Sequence, residues 1–449
     1  MIKLPLFVEK VIDVLEENGF EAYVVGGSLR DIYLGSEPHD WDVCTSAMPE
    51  ETMKCFEGYR IIETGLKHGT VTVMSDGNPI EITTYRIDGD YKDCRHPENV
   101  TFTKNIEEDL KRRDFTVNAM AYSPKRGFVD CNGSRADIEN GVIRCVGNAK
   151  ERFTEDALRI MRCIRFSAVL GFSVDDDTEA AAKELAGNLS AISKERVWTE
   201  FKKMMCAKDG KWLSECIRKF TSVLSVVIPE ILPTVGFPHN NPHHIYDVWE
   251  HTLFSVAVSE PELDVRVSLL FHDLGKPYVQ TVDEKGISHF KQHQPVSENI
   301  ALEILKNLKV DNKTKETVCL LVKYHDIKIE NTMSCVKRLL GKIGEENFFK
   351  LLKVKRADIK AHAPEYIESD LKHCDELEET AKKILAENQC FKIGDLNING
   401  NDVMSLGIKS GKQVGTVLKT LLDAVISEEI ENDREILLTK ARVIIDGSD

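Results

Sequence analysis

Hydrophobic and polar residues follow two different periods along the first 140 residues. Apolar residues at positions 8, 11, 12 and 15 fall on one helical face, and short runs at 21–25 and 40–44 predict strands. Residues 69–85 alternate with a period of two on both sides of a turn at Asp76-Gly77-Asn78, which is typical of a hairpin. This part of the chain is therefore predicted to be α/β.

From about residue 143 the period becomes helical and stays so for most of the chain. A joint rich in Pro, Asn and His at 236–242 interrupts it, as do a Gly-containing stretch at 283–289 and the segment IGDLNINGN at 393–401. Because such a joint is typical of a boundary between modules, we expect a further helical module to be inserted there. The pattern predicts an α/β head followed by a long helical part.

Composition narrows the class of protein. With 449 residues, 42% of them hydrophobic, the chain is long enough for several domains with buried cores. A net charge of −15 argues against a polycationic nucleic-acid coat protein and against binding to anionic membranes. The twelve cysteines include no Cys-x-x-Cys pair, and no stretch reaches the about 18 apolar residues of a membrane span. With no export segment either, we expect a cytoplasmic protein with reduced thiols and no membrane partner.

Two short motifs in the head point to chemistry. Gly26-Gly27 lies between a predicted strand and a predicted helix, where backbone N–H groups can bind a phosphate, and Arg30 is placed to pair with a phosphate or with Asp31. Asp40 and Asp42 stand two residues apart on a predicted strand, so both carboxylates face one side and can hold two Mg²⁺ ions. Each motif alone is also typical of an ordinary turn.

The two motifs occur together with the string KRRDFTVNAMA at residues 111–121. In combination, GGSLRDIYLG, HDWDVCTSAMPEE and this string resemble the class II tRNA nucleotidyltransferases, which include the CCA-adding enzymes and the bacterial poly(A) polymerases. The resemblance implies a nucleotidyltransferase head in which Asp40 and Asp42 are catalytic and hold Mg²⁺. It implies nucleotide binding by Gly26, Gly27, Arg30, Arg113 and Asn118. Glu81, on the neighbouring predicted strand, is expected to be auxiliary or structural.

A cationic helix face follows the head. Arg159, Arg162 and Arg165 recur every three residues, and Asp156 stands three residues before Arg159, so an intrahelical salt bridge is one interpretation. Cytosine and adenine each present an amino donor beside a ring-nitrogen acceptor, which a carboxylate and a guanidinium match. The string EDALR resembles the base-selecting EDxxR motif of the same family. The resemblance implies that Asp156 and Arg159 select CTP and ATP, while Arg162 and Arg165 contact phosphate.

The surroundings of this helix are locally basic. Residues 143–172 carry six Lys and Arg against three Asp and Glu, although the chain as a whole is acidic. The string ERVWTE at 195–200 resembles the segment that follows in the family, and we expect it to brace the helix. RNA contact is therefore expected to be concentrated near this strip.

The activities within the family differ in which nucleotides are added. Residues 86–97 resemble the flexible loop that accompanies terminal A addition and is shortened in CC-only enzymes. We therefore predict addition and repair of the 3′-terminal CCA of tRNA, with CTP and ATP as substrates and pyrophosphate as product. Poly(A) polymerase and A-only addition stay as alternatives, and the oligomeric state is left open.

Histidines and acids recur through the module after the joint. His251, the pair His272-Asp273, His293 and the pair His325-Asp326 resemble the ligand pattern of the HD superfamily of metal-dependent phosphohydrolases. The resemblance implies a divalent metal whose identity the sequence does not give. His293 and His325 suit a two-metal site and Asp326 a minimal one, whereas a degenerate insert is the structural alternative. If active, the module is expected to be a phosphatase or cyclic phosphodiesterase.

The sequence predicts this order of domains: an α/β nucleotidyltransferase head with a mixed sheet at 1–142, an all-α neck at 143–205, body at 206–240, an HD-type helical domain at 241–345, and a helical body and tail that binds tRNA at 346–449. A rival of another class is an HD phosphohydrolase or RNA-binding protein whose transferase head is inactive. The intact pair Asp40 and Asp42 argues against it.

Overall fold

The computed structural model describes residues 2–38, 40–63, 65–66, 69–89, 100–408 and 411–446. The chain divides into two compact units, residues 1–229 and 230–449. The first unit holds the predicted head and neck. The second holds the histidine-rich module and the last helices. The division into five domains stays a prediction, because a division into two units does not test the boundaries within each unit.

The described residues of the head form five helices and ten strands. The helices are α1 Leu6–Glu17, α2 Gly27–Tyr33, α3 Pro49–Cys55, α4 Ile106–Lys111 and α5 Ser134–Glu139. The strands are β1 Ala22–Val25, β2 Asp42–Thr45, β3 Ile61–Ile62, β4 Thr70–Ser75, β5 Asn78–Thr84, β6 Arg86–Asp88, β7 Val100–Phe102, β8 Ala121–Ser123, β9 Gly127–Val129 and β10 Val142–Ile143. A 3₁₀ helix spans Thr116–Asn118.

Seven strands form one mixed sheet in the order β3-β4-β5-β2-β1-β8-β9. Strand β2 runs antiparallel to β1 and parallel to β5, and these pairings place Asp42 opposite both Val25 and Glu81. The predicted hairpin is confirmed: β4 and β5 are joined by Asp76-Gly77, both with positive φ, as a tight two-residue turn requires. The sheet therefore brings the end of β1, the start of β2 and the middle of β5 to one place.

The predicted face of α1 is buried at Val8, Val11, Ile12 and Leu15, which pack in the core of the head. The predicted strand at 40–44 is shifted, since β2 begins only at Asp42. The shift has a simple cause, because the partner strand β1 ends at Val25 and Gly26 takes a positive φ there. Asp40 therefore lies just before the strand, exposed to solvent.

The helical part of the first unit follows directly. It contains α6 Ala149–Glu155, α7 Leu158–Leu170, α8 Asp176–Glu184, α9 Lys194–Met205, α10 Gly210–Lys219 and α11 Thr221–Val227, with strand β11 Ser173–Val174 and a 3₁₀ helix at Ala186–Ala191. Helix α7 packs on α9, and Ile160 and Ile164 on α7 and Phe201 on α9 are buried. The predicted continuous helix across 155–166 is wrong, because Asp156 adopts an extended conformation that separates α6 from α7.

The second unit is helical apart from one small hairpin. Its helices are α12 Val248–Ala257, α13 Leu263–Phe271, α14 Lys276–Val279, α15 His293–Asn307, α16 Asn312–Tyr324, α17 Met333–Ile343, α18 Glu345–Ile359, α19 Pro364–Ala386, α20 Gly400–Met404, α21 Gly411–Ile426 and α22 Arg434–Asp446. Strands β12 Thr281–Val282 and β13 Ser288–His289 pair antiparallel, and 3₁₀ helices span Pro229–Thr234 and Ile393–Asp395.

Helix α13 is central to the second unit. It packs against α12, α15, α16 and α18, and all its residues from Val265 to Phe271 are buried. A separate small core holds the last three helices together around Val403, Leu421 and Leu437. The predicted α/β head and helical remainder are thus confirmed. Among the described residues, no helix is long and apolar enough to cross a membrane.

Candidate functional site

The eleven head and neck residues predicted to act on nucleotide line one cavity of about 640 Å³ in the first unit. They are Gly26, Gly27, Arg30, Asp40, Asp42, Arg113, Asn118, Asp156, Arg159, Arg162 and Arg165. One wall is acidic and belongs to the sheet, whereas the rest of the lining is rich in arginine. The cavity therefore combines groups suited to cations with groups suited to phosphate.

The acidic wall consists of Asp40, Asp42 and Glu81. Burial raises the pKa of the Asp42 carboxyl to about 6, and the neighbouring carboxylates of Glu81 and Asp40 add to this rise while Arg113 opposes it. Like charges this close destabilise one another unless a cation lies between them. Carboxylate oxygens are the donors that Mg²⁺ prefers, so the wall fits a divalent cation.

Gly26 is required by the closeness of this wall. Its φ is +75°, and a Cβ atom built on it would lie 3.3 Å from Asp42 Oδ2 and 3.5 Å from Arg113 Nη1. A side chain here would be strained by the backbone conformation and would also crowd the carboxylate. The glycine thus allows β1 to turn directly against the acidic wall.

A buried polar network fixes the arginines on the other side. Arg30 Nη1 donates to Asn118 Oδ1 at 2.7 Å, and the same guanidinium donates to Asp31. Asn118 Nδ2 donates to Asp114 Oδ1 at 3.3 Å, and Arg162 Nε donates to Asp114 Oδ2 at 2.7 Å. Although burial opposes ionisation of Asp114, the Arg162 guanidinium lowers the pKa of Asp114 to about 2. Arg30 therefore pairs with Asp31, as expected, and is also oriented by Asn118.

Asp109 is a residue that the sequence analysis missed. It is fully buried and accepts hydrogen bonds from Arg112 and Arg113, at 2.7 Å and 3.2 Å. Its spacing of three and four residues before the two arginines is the signal that was available, since such pairs are neighbours on a helix. Asp109 holds the Arg113 guanidinium beside Asp42.

Asp156 and Arg159 both face the cavity, each with its own support. Asp156 lies in the break between α6 and α7, where it accepts from Leu158 N at 3.0 Å and pairs with Arg196 at 3.3 Å. Arg159, which is buried, pairs with Glu155 at 2.7 Å and donates to the Arg112 carbonyl oxygen at 3.2 Å. The two groups are therefore positioned independently, and the supporting residues Arg196 and Glu155 come from outside the predicted pair.

Arg165 is held by the segment expected to act as a brace. Its Nε lies 2.5 Å from Glu200 Oε2, and its guanidinium lies 3.7 Å from the centroid of the Phe166 ring. Glu200 is itself buried on α9, within the string ERVWTE that ends at this residue. The segment thus acts as the structural brace that was expected.

The loop expected to accompany terminal A addition lies only partly within the described residues. Arg86–Asp88 forms β6 and pairs with Val100–Phe102. Residues 90–99 lie outside the described part of the chain. The prediction for this loop therefore stays a prediction.

A second cluster of chemical groups lies in the second unit, at the ends of several helices. His251 is on α12, His272 and Asp273 follow α13, His293 begins α15, and His325 follows α16. All five side chains are buried. Helix packing thus collects residues that are far apart in the sequence, and we call this group the histidine cluster.

Each imidazole of the cluster is oriented by a backbone carbonyl. The Nδ1 atoms of His251, His272, His293 and His325 lie 3.3, 2.6, 2.8 and 2.7 Å from the carbonyl oxygens of Ala361, Leu269, Phe290 and Val322. Because a carbonyl only accepts, Nδ1 carries a proton in each ring, which leaves Nε2 as the atom that can bind a metal ion when it is deprotonated. The Nε2 atoms point into the cluster, which is the orientation that metal-binding histidines take from such outer hydrogen bonds.

Asp273 connects the two halves of the histidine cluster through different oxygens. Its Oδ2 lies 3.2 Å from His272 Nε2 and 3.8 Å from His251 Nε2, whereas its Oδ1 lies 3.3 Å from His293 Nε2 and 3.8 Å from His325 Nε2. Asp273 Oδ1 and His272 Nε2 are buried without a hydrogen bond among the described residues, whereas Asp273 Oδ2 pairs with the Lys276 ammonium. A buried carboxylate oxygen or imidazole nitrogen that has no hydrogen bond is typical of a metal ligand.

The sequence analysis missed the acidic partner of this cluster. Asp358, on α18, lies with its Oδ1 2.7 Å from His251 Nε2 and 3.4 Å from His272 Nε2. Asp326, the predicted acid, instead stays exposed at the rim of a cavity of about 730 Å³ and accepts from Gln294 Nε2 at 2.9 Å. The predicted end of the module at residue 345 thus excludes Asp358, 107 residues from His251.

Other side chains around the cluster were also missed. His239, His244, Lys276 and His362 lie beside it, and Lys276 Nζ is 2.6 Å from Asp273 Oδ2 and 2.9 Å from His239 Nε2. Burial and the nearby Lys276 ammonium lower the pKa of His239 to about 3, so this ring is neutral. The string HNNPHH at 239–244 was the available signal for His239 and His244.

Comparisons with known proteins agree with the head geometry. The sequence profile of the poly(A) polymerase head domain matches residues 22–144. That of a "Probable RNA and SrmB-binding site of polymerase A" matches residues 171–233, and that of tRNA nucleotidyltransferase domain 2 matches residues 282–441. The three matches together cover most of both units.

Whole-chain similarity is also extensive. A CCA-adding enzyme of Leuconostoc mesenteroides is 33% identical over 430 residues, which cover 96% of this chain and 94% of that protein. The solved structure of the Bacillus stearothermophilus CCA-adding enzyme in complex with CTP aligns with a TM-score of 0.74 at 28% identity, over 99% of both chains.

The fold recurs at lower identity. In the Thermotoga maritima CCA-adding enzyme, solved with tRNA, 98% of this chain aligns with 95% of that one at a TM-score of 0.58 and 20% identity. A relative of 33% identity covers nearly the whole sequence, and the head carries the carboxylates and arginines that a nucleotidyltransferase needs. This chain therefore belongs to the family of CCA-adding enzymes, which are nucleotidyltransferases.

Proposed function

We propose that this protein adds and repairs the 3′-terminal CCA of tRNA in the cytoplasm, using CTP and ATP and releasing pyrophosphate. The observation that supports it most directly is the single cavity that joins the acidic wall of Asp40 and Asp42 to Asp156 and Arg159. Phosphoryl transfer requires the first pair, and selection between bases requires the second. The names of the relatives support the same choice over a poly(A) polymerase.

Asp40 and Asp42 are the residues that would hold Mg²⁺ in this cavity. The bound cations would activate the tRNA 3′-hydroxyl and neutralise charge on the triphosphate. The protein itself would orient the triphosphate through Arg113 and Arg30, whose guanidiniums are held in place by Asp109 and Asn118. Because both guanidiniums are fixed before the nucleotide arrives, little ordering is left to occur on binding.

Base choice would follow from hydrogen-bond complementarity. The Asp156 carboxylate accepts from the amino group of cytosine or adenine, and the Arg159 guanidinium donates to the adjacent ring nitrogen. Guanine and uracil present the reverse pattern at these positions, so each mismatch leaves a buried polar group unpaired, at a cost of about 1–3 kcal/mol. Arg196 and Glu155 keep the two groups apart and correctly oriented.

An incorporation assay tests this function. Purified protein with Mg²⁺ is incubated with tRNA that lacks CCA, CA or A, together with labelled CTP or ATP. We expect C, C and A to be added in order, followed by a stop. Long A tracts would instead identify a poly(A) polymerase, and activity only on tRNA lacking the final A would identify an A-adding enzyme.

We propose a second activity for the histidine cluster, hydrolysis of phosphate esters that depends on two divalent metal ions. The supporting observation is the sorting of ligands by the two Asp273 oxygens, with His251, His272 and Asp358 on one side and His293 and His325 on the other. Bound metal ions would supply a nucleophilic hydroxide at neutral pH. Lys276, buried beside Asp273, would add positive charge for the phosphate.

Hydrolysis of simple esters tests this second activity. p-Nitrophenyl phosphate and 2′,3′-cyclic AMP are offered to the protein with Mn²⁺, Ni²⁺, Fe²⁺ or Zn²⁺. We expect turnover with at least one metal and its loss in His272→Ala, while incorporation of CTP and ATP persists. Absence of turnover under all four metals would support the degenerate module that the sequence leaves as an alternative.

A further inference from the structure

Two histidines beside the histidine cluster are not needed by the proposed two-metal hydrolase. His244 lies between the joint and α12, and His362 follows α18. The two residues face each other as an isolated antiparallel β-bridge, and Ala363 N donates to the His243 carbonyl oxygen at 2.9 Å. Directly paired residues on antiparallel segments project to the same side. The backbone therefore holds both imidazoles together.

The rings of this pair converge with a ring of the cluster. The centroids of His244 and His362 are 4.9 Å apart, and those of His244 and His251 are 4.8 Å apart. One ligand atom from each of His244, His251 and His362 lies within 4.8 Å of the other two. Because His251 Nε2 already faces the two-metal site, His244 and His362 supply the nitrogen donors that are left for a further ion, and imidazole nitrogens bind zinc at about 2.0–2.1 Å.

Asp358 divides its oxygens in the same way as Asp273. Its Oδ1 lies 2.7 Å from His251 Nε2 and 3.4 Å from His272 Nε2, whereas its Oδ2 lies 3.8 Å from His362 Nε2. One oxygen is thus directed to the cluster and the other to the pair. A carboxylate with this division can serve two cations at once.

His244 also has a buried donor atom without a partner. Its Nδ1 is inaccessible to solvent and forms no hydrogen bond among the described residues. The ring of His244 stacks on the ring of His239, with centroids 3.9 Å apart and nearly parallel planes. Packing therefore fixes the ring, although its Nδ1 has no hydrogen bond among the described residues that would explain the orientation.

We infer that His244, His362 and Asp358 Oδ2 form a third divalent-metal subsite, which adjoins the two-metal site through Asp358 and His251. The inference rests on the proposed hydrolase, since it extends the same centre. Two imidazoles and a carboxylate favour Zn²⁺, Fe²⁺ or Ni²⁺ over Mg²⁺. The subsite borders the cavity of about 730 Å³ next to Lys276, so its cation would face a phosphate group of a bound ester.

Counting bound metal tests the third subsite without any assay of activity. The protein is stripped with a chelator, reloaded with Zn²⁺, desalted and analysed by mass spectrometry for zinc per chain. An Asp42→Ala background removes the metal site of the head from the count. We expect the variant His244→Ala/His362→Ala to lose about one ion per chain relative to this background.

His243→Ala is the matched control. His243 is the neighbouring histidine, is exposed, and packs on Tyr366 with ring centroids 4.1 Å apart. Its replacement should leave the zinc count unchanged. A single His362→Asn variant, which keeps the size of the side chain better, should reproduce the loss, and zinc anomalous scattering in crystals should place a peak between His244 and His362.

The outcomes separate this inference from the hydrolase on which it rests. An unchanged zinc count in the double variant, with ions still bound at Asp273, would overturn the third subsite and leave the two-metal hydrolase intact. Loss of every ion in the double variant would also overturn it, because the pair would then support the main site. A background protein that binds no zinc, iron or nickel would overturn both proposals.

Discussion

The head cavity and the histidine cluster are both suited to metal ions, but they are built in opposite ways. In the head, Asp40 is exposed and Asp42 is only partly buried at the start of a strand, with arginines lining the same cavity. In the cluster, His251, His272 and Asp273 are buried, and backbone carbonyls orient the two imidazoles. The first arrangement is open to an incoming nucleotide, and the second encloses its ligands.

The head cavity and the histidine cluster also differ in their ligand atoms. Carboxylates alone bind Mg²⁺ weakly enough for it to arrive with a triphosphate, whereas clustered imidazoles bind transition metals as resident ions. An open site of oxygen ligands can thus receive a Mg²⁺ ion with each incoming triphosphate. A closed site of nitrogen ligands has to be loaded once and kept. The comparison predicts that the two sites respond differently to substitution, chelation and acid.

The largest effect is expected from Asp42→Ala. Loss of the partly buried carboxylate on the acidic wall should reduce nucleotide addition on the order of a thousandfold or more, because bound cations contribute several kcal/mol of charge stabilisation in the transition state. Steady-state incorporation of labelled ATP measures it. Asp76→Asn, on the exposed hairpin turn, is the control. An equal loss of zinc from the histidine cluster would contradict two independent sites.

His272→Ala should have the next largest effect, confined to the other site. Removal of one imidazole ligand should weaken metal binding by the cluster by at least about 100-fold, since even an outer partner of a ligand is worth 10–100-fold. Titration of the stripped protein with Zn²⁺ measures the change. His289→Ala is the control, because this exposed histidine pairs with Asp283 instead. If ATP incorporation fell as far as it does in Asp42→Ala, the two sites would not be independent.

The same contrast explains which residues the sequence revealed. Asp40, Asp42, Arg113 and Asn118 lie in short strings whose strand and helix contexts are local, so spacing and resemblance were enough to find them. Asp358 could not be found in this way. It reaches His251 only because α18 packs on α12 and α13, and long-range packing of helices leaves no mark on local spacing.

Local conformation set a second limit. Asp156 was expected to be on a continuous helix, but its side chain caps α7 by accepting from Leu158 N, so the helix is interrupted there. Aspartate commonly competes with helix backbone in this manner. Its ion-pair partner Arg196 is 40 residues away and lies in a string expected only to brace. The fold class was thus predictable, while supports of the site were not.

A smaller effect is expected on the free energy of unfolding in acid, and it concerns Asp114 in the head. The pKa of Asp114 is lowered from 3.8 to about 2 by Arg162 against the opposing effect of burial, so its ionisation stabilises the folded head above pH 3.8. This contribution, about 2 kcal/mol, is lost as the pH falls through about 2. Urea unfolding at pH 5 and pH 2 should show that Asp114→Asn lacks this part of the acid dependence. Asp13→Asn, at an exposed ion pair, should retain it.

The smallest effect is expected on the choice of base. Asp156→Ala removes the acceptor for the amino group of cytosine and adenine, so the preference for ATP and CTP over GTP and UTP should fall about tenfold, or about 1.4 kcal/mol. Competition between labelled nucleotides measures this ratio, and the exposed Asp176→Asn is the control. Arg196→Ala should give a weaker change of the same kind, because it only orients Asp156. If selectivity is unchanged in Asp156→Ala, base choice belongs to the arginines of the cavity. The role of Asp156 is then limited to its hydrogen bond at the start of α7.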